Sequence, residues 1–241
     1  MKSFHLAGLA PSENRDNKSP EQPTPAACPS RRNVVGGMLL LGATGMAGSA
    51  LAQETAQTKV IGQLPLGKAA PLGDPVGGNP KGNTTIVTFF DYNCPFCKRT
   101  VAPMNKVVAA DGQIRVIYKE WPILATSSVF GAKLALVAAY QGKYLEAHHA
   151  LMGLGRRPSE DDMVKAVTAT GIDMKRMEAD TQAHGEAIMG LLRRNNREAE
   201  ELGLQGTPAF IVGSFLIPAA LDEDGFRQVV SDARKAGATS D

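Results

Sequence analysis

Cysteine is scarce in this chain: three in 241 residues, at Cys28, Cys94 and Cys97. That is too few for a fold stapled by disulfides. A structural zinc needs four ligands, and His5, His148, His149 and His184, the only histidines, stand at no short ligand spacing from the cysteine pair. Aromatics make up 5 % of the residues, and no basic cluster is interleaved with them, so nothing points to nucleic acid. An excess of one charge is missing too. Residues 1–52 hold five of the 26 Lys and Arg and three of the 24 Asp and Glu, which leaves 21 of each sign in the remainder. Long apolar runs are also absent: the best stretch, 34–52, is broken by five glycines and makes a poor membrane helix.

Residues 1–30 are polar and carry Pro11, Pro20, Pro23, Pro25 and Pro29, a composition that cannot bury a core. Arg31-Arg32 and the weakly apolar run follow, closing on Ala50-Leu51-Ala52, a small-x-small pattern that suits a leader peptidase. Residues 1–52 therefore read as an export leader cleaved after Ala52, closer to a twin-arginine signal than to a Sec signal, with Cys28 leaving in it. The alternative is an uncleaved anchor holding the protein in the membrane, facing the periplasm. Either way a periplasmic location is expected, where a dithiol works against an oxidising background.

The organising stretch is 84–98, TTIVTFFDYNCPFCK. Its β-branched and aromatic start predicts a buried strand. Pro95 suits a helix's first turn, and Val101, Met104, Val107 and Val108 recur at helical spacing. Cys94 is thus expected at the helix N-terminus, exposed at the tip, with Cys97 one turn inside. A thiolate there faces free N–H groups and the positive end of the helix dipole, and such pairs have a thiol pKa lowered to roughly 3.5–7.5. Cys94 is the candidate nucleophile and Cys97 the resolving thiol. Lys98 and Arg99 read equally as added positive charge near Cys94 or as a solvated face.

Residues 53–82 are rich in Gly and Pro and predict an extended lead-in with an edge strand near 59–64. A second strand is expected at 113–121. Helices are expected at 127–140, 143–154, 160–170, 173–181 and 185–202, with Ser159 and Asp162 capping the third. Strand patterning returns at 208–212, followed by a turn at 213–214, a hairpin partner at 215–217 and a helix at 223–235. The crossover between the first two strands implies parallel pairing, and the hairpin adds antiparallel edges.

Three segments in this order, 89–97 (FFDYNCPFC), 118–124 (YKEWPIL) and 206–210 (GTPAF), resemble the DsbA-like branch of the thioredoxin superfamily over residues 79–241. The resemblance implies an α/β thioredoxin fold, residues 83–241, with a mixed central sheet and a multi-helix insertion, about 125–203, between its βαβ half and its C-terminal ββα half. It implies a protein thiol–disulfide oxidoreductase with no cofactor, using the redox disulfide Cys94–Cys97. Pro208 takes the place of the family's cis-proline, and Thr207 beside it would pair with substrate backbone as an added strand. Phe96, Thr207 and Pro208 are the implied substrate contacts. The implied partners are unfolded or partly folded exported proteins with cysteines, and a membrane redox protein that resets the pair.

One position departs from the pattern. Thr88 stands six residues ahead of Cys94, where many relatives keep a buried carboxylate. Glu120 is the preferred substitute and Asp91 the second, although Lys119 and Glu120 also fit a strand's solvent face. Residues 53–82 are too short for a dimerisation domain, so a monomeric oxidase is favoured over a reductase or isomerase. The competing function is copper handling, with Cys94 and Cys97 as thiolates for Cu(I). His148 and His149 read as packing or surface residues.

Overall fold

The computed structural model describes residues 73–238, without the side chain of Ala238. The leader 1–52 and the edge strand expected near 59–64 lie outside the described residues. The elements are β1 (Val76–Gly78), β2 (Thr84–Phe90), α1 (Pro95–Asp111), β3 (Ile114–Glu120), α2 (Thr126–Ala138), a 3-10 turn (Ala139–Gln141), α3 (Tyr144–Met152), α4 (Glu160–Thr168), α5 (Met174–Glu201), β4 (Ala209–Val212), β5 (Phe215–Ile217) and α6 (Glu223–Ala238).

The sheet runs β1-β3-β2-β4-β5. β2 and β3 are parallel, pairing Thr84 with Ile114 through to Phe90 with Glu120, and every other pairing is antiparallel. Both central strands are buried almost throughout, as strands covered on two faces must be. Alternation then sorts their side chains. Ile86, Phe90, Val116 and Tyr118 join the larger apolar cluster, with both cysteines and α2–α5. Val87, Phe89, Ile117 and Trp121 join a smaller one with Ala199, Leu202 and Leu204. β1 lies within the lead-in and closes one edge. Gly78 makes that approach possible: its φ is +65°, and a Cβ there would stand 2.5 Å from the Ile114 carbonyl.

Four helices, α2 to α5, stand between β3 and β4. The two helices expected at 173–181 and 185–202 are one, α5, of 28 residues. Its two interior glycines, Gly185 and Gly190, each cost about 1 kcal/mol. Against that, Met177, Thr181, Ile188, Leu191, Leu192 and Asn195 form a continuous buried stripe along α5, and the His184 ring stacks on Tyr140 at 3.9 Å. Packing outweighs the local break. The capping box on α4 forms between Ser159 and Asp162.

Candidate active site

Cys94 is the N-cap of α1, and Pro95 opens the helix where no N–H is needed. The Cys97 amide donates to Cys94 Sγ at 3.4 Å, and the Cys94 thiol donates to the Thr207 carbonyl at 3.2 Å. Both cysteines are free thiols. The expected exposure of Cys94 is corrected: it is only 3 % exposed, because the 207–208 loop closes over its sulfur. The residue standing out at the tip is Phe96, 51 % exposed, with the Arg99 guanidinium 4.6 Å over its ring.

The two thiols are pushed apart in acidity. Hydrogen bonding from Cys97 is the largest influence on Cys94 and lowers its pKa to about 6, with help from Thr207 and the amides of Cys97 and Phe96, against the opposing effect of burial. The Thr207 hydroxyl has no other partner among the described residues, so its hydrogen is available to a thiolate. Burial, followed by the neighbouring Cys94 sulfur, drives the Cys97 thiol far above its ordinary value. One sulfur is thus an anion at neutral pH while the other keeps its proton.

The Thr207–Pro208 peptide bond is cis and leads into β4. Thr88 is buried and pairs in register with Phe210. Neither Lys119 nor Glu120 lies on a solvent face; both are buried, at 0 % and 1 % exposure. Glu120 Oε1 accepts from the Tyr92 hydroxyl at 2.7 Å and the Tyr144 hydroxyl at 2.8 Å. With that hydrogen committed, the Tyr92 oxygen accepts from His148 Nδ1 at 3.1 Å. Burial, with the Asp91 charge, raises the Glu120 pKa to about 8 against the two hydroxyls. Burial lowers that of His148 to about 3, leaving the imidazole neutral. No hydrogen bond joins Glu120 to either sulfur; its link to the motif is Tyr92, two residues before Cys94. His149 is exposed and meets Asn105.

Asp91, the second nominee, is 1 % exposed and its carboxylate is fully engaged. Oδ1 accepts from the Asn93 amide and the Ser128 hydroxyl, both at 2.7 Å; Oδ2 accepts from the amides of Ile123 at 2.8 Å and Leu124 at 2.9 Å. An amide left without such a partner costs about 1–3 kcal/mol where water cannot replace it. Lys98 reaches the other way, donating to the carbonyls of Leu151 and Leu154 at the end of α3. Sequence reading could not find these roles, since every partner but the Asn93 amide lies 32 to 56 residues away. Among the described residues, no group of three or more His, Cys, Asp or Glu is arranged to hold a metal ion.

A low-pKa thiol beside a buried, protonated one, on a mixed sheet of this order, belongs to the thioredoxin-fold thiol–disulfide oxidoreductases. Residues 85–231 match the DSBA-like thioredoxin domain, and the chain belongs to that family. A thioredoxin-like oxidoreductase from Silicibacter pomeroyi DSS-3 is 38 % identical, with a TM-score of 0.64 over 69 % of this chain and 94 % of that one. The thiol-disulfide exchange protein alpha-DsbA2 from Wolbachia pipientis is 25 % identical, with a TM-score of 0.67 over 78 % and 99 %. A periplasmic thioredoxin-like protein from Salmonella enterica serovar Typhimurium is 31 % identical, with a TM-score of 0.57 over 66 % and 89 %. Among curated relatives, the Na(+)/H(+) antiporter NhaA 1 of Mycobacterium sp. strain KMS is 27 % identical over 145 residues, 59 % of this chain and 24 % of that protein. The chain thus spans about a quarter of the length of the curated relatives it matches. Among the described residues, no helix is long and apolar enough to cross a membrane.

Proposed function

We propose that this protein is a periplasmic thiol–disulfide oxidase that passes the Cys94–Cys97 disulfide to exported proteins. The observation that carries this reading is the paired acidity of the two thiols, with Cys94 lowered to about 6 chiefly by hydrogen bonding from Cys97 and Cys97 itself pushed far up by burial. A substrate thiolate attacks Cys94 Sγ. The S–S bond breaks, and the Cys97 sulfur leaves with the electron pair and takes up a proton. A second substrate thiolate then attacks the substrate sulfur of the mixed disulfide, and Cys94 leaves as a stable thiolate. Two substrate thiols become one disulfide, and the enzyme pair gains two electrons.

The oxidising direction draws support from which form of the enzyme is stabilised. Lowering a thiol from 9.0 to about 6 stabilises the reduced enzyme at pH 7 by about 1.4 kcal/mol, which is about 30 mV toward an oxidant. Thr207 is assigned the backbone groups that pair with an extended substrate, and Phe96 an apolar contact beside the sulfur. Glu120 is assigned as the buried acid serving Cys97, its proton exchanged by way of Tyr92. The periplasmic assignment draws support from the leader-like residues 1–52 and from the Salmonella relative. A membrane redox protein recharges the pair.

Two measurements test the reading. Iodoacetamide should alkylate Cys94 with a pH midpoint near 6. The Cys97→Ala protein should accumulate mixed disulfides with exported proteins on Cys94. Alkylation at neutral pH no faster than that of free cysteine, or a trap that captures nothing, overturns it.

A further inference from the structure

His148 is a buried titratable side chain that the exchange chemistry above leaves unused. It is 2 % exposed, on the inner side of α3. Four aromatic rings enclose it, Phe90 and Tyr118 at 4.8 Å, Tyr92 at 5.7 Å and Tyr144 at 5.8 Å between centroids. Phenylalanine would fill that cage without burying two ring nitrogens, which costs free energy unless they are paired. What the imidazole adds is one hydrogen bond, from Nδ1 to the Tyr92 oxygen at 3.1 Å. Nε2 has no hydrogen-bond partner among the described residues.

That arrangement fixes the tautomer. Burial keeps the ring neutral, so it carries a single N–H. Buried N–H groups without an acceptor are rarer than acceptors without a donor, which puts the hydrogen on Nδ1, facing Tyr92. The hydrogen of the Tyr92 hydroxyl is then left to Glu120 Oε1, 2.7 Å away. The other tautomer would draw it to Nδ1 and turn a lone pair on the carboxyl instead. The titratable groups around Glu120 and His148 are Asp91 and Tyr92 from the segment before the cysteines, Tyr118 from β3, and Tyr144 and His149 from α3. Asn195 from α5 meets only the Glu120 carbonyl. None of these is a cation at neutral pH, so hydrogen bonds are what favour the ionised form of Glu120.

We infer that His148 is a positioning residue for the resolving step: its Nδ1–H holds the Tyr92 hydroxyl on Glu120 and so keeps Glu120 able to take the Cys97 proton. The inference rests on the proposed thiol exchange and on Glu120 as its buried acid. In that step Cys97 Sγ loses its proton to the Glu120 carboxylate by way of Tyr92 and attacks Cys94 Sγ. The mixed disulfide breaks, and the substrate sulfur leaves as a thiolate with the electron pair. While the hydrogen passes, negative charge rests on the Tyr92 oxygen, and the His148 N–H meets it. The imidazole itself neither gains nor loses a proton.

The test mixes the reduced full-length protein with a coloured aromatic disulfide in a stopped-flow instrument. Attack by Cys94 releases one thiolate, and resolution by Cys97 releases the second. In the wild type the second phase should quicken as pH rises, with a midpoint near 8. In His148→Phe the ring still fills the cage but the donor is gone. That phase should be about fivefold slower at pH 7 and its midpoint about 0.7 of a pH unit higher, the worth of one hydrogen bond. The two proteins should converge above the midpoint, and the first phase should be unchanged. His148→Asn, which offers an amide N–H near the place of Nδ1, should restore most of the rate. Nitrogen-15 NMR of the wild type needs no variant and should show His148 as the Nδ1–H tautomer from pH 5 to pH 9. An Nε2–H tautomer, a His148→Phe midpoint equal to the wild type's, or equal losses in both variants overturns the inference alone. A wild-type second phase that is flat with pH overturns it together with the role of Glu120, and no release of either thiolate overturns the proposed exchange.

Discussion

Lys119 and Glu120 are consecutive residues on β3, both buried, and alternation sends them to opposite faces of the sheet. The two faces handle an ionisable group in different ways. On one, Lys119 meets Asp74 and Glu198, with Arg194 3.8 Å from each carboxylate, in a charged cluster. On the other, Glu120 meets only hydroxyls, from Tyr92 and Tyr144, beside a neutral imidazole. A buried ion needs a counter-ion or it neutralises. The face without cysteines supplies counter-ions and joins the lead-in to α5. The face with cysteines withholds them, which leaves a carboxyl raised to about 8 and held by two tyrosines that belong to the same cluster as the thiols.

Breaking the charged face should give the largest effect. Lys119→Met leaves Asp74 and Glu198 buried with, among the described residues, Arg194 as the remaining cation in reach, so chemical denaturation should show a loss of about 3–5 kcal/mol. Alkylation of Cys94 serves as the control on the other face and should keep its midpoint. A loss under about 1 kcal/mol would mean that Arg194 compensates fully and that the faces do not differ as described.

On the neutral face the sign reverses with pH. The folded-state pKa of Glu120 is raised from 4.5 to about 8. Below pH 4.5 the carboxyl is protonated in both states and its contribution is fully present. Between 4.5 and 8 the unfolded chain releases the proton while the folded one keeps it, so stability drains away as pH rises. Glu120→Gln removes that loss, and its amide oxygen can still accept from both tyrosines. The variant should therefore gain on the wild type in thermal unfolding as pH goes from 4.5 to 8, by on the order of 2–4 kcal/mol. It should also slow release of the mixed disulfide by Cys97. A gap between variant and wild type that stays flat with pH would place a charged Glu120 in the folded protein.

The contrast between faces marks where sequence reading stopped. Strand, turn and helix around Cys94 are local, and TTIVTFF, Pro95 and the valine spacing were enough to predict them. That Lys119 and Glu120 are both buried was not legible, because a Lys-Glu pair at a strand's end looks the same on a solvent face. Distant partners decide it, among them Asp74, 45 residues earlier, and Tyr144, 24 later. The same holds for Asp91, three of whose four donors come from 32 to 37 residues later, and for the unbroken α5, where tertiary packing overrode two local glycines. Spacing reports neighbours along the chain; the acidities of the site are set by neighbours across it.

The smallest effect tests whether hydroxyls alone hold the neutral face. Tyr144→Phe removes one of the two donors to Glu120 Oε1 and keeps the ring that stacks near His148. The carboxylate form loses a stabilising partner, so the Glu120 pKa moves further up from about 8. Near pH 5 the acid is neutral in the folded state, and losing one hydrogen bond should cost about 1 kcal/mol. Above pH 8 the wild type draws on that hydroxyl to hold the anion, so the cost should grow. A carbon-13 label on Glu120, followed by NMR through a pH titration, reads the shift directly. If the titration moves down, or the cost is the same at pH 5 and pH 9, Tyr144 is only filling space, and the acidity of Glu120 is set by burial and Tyr92 alone.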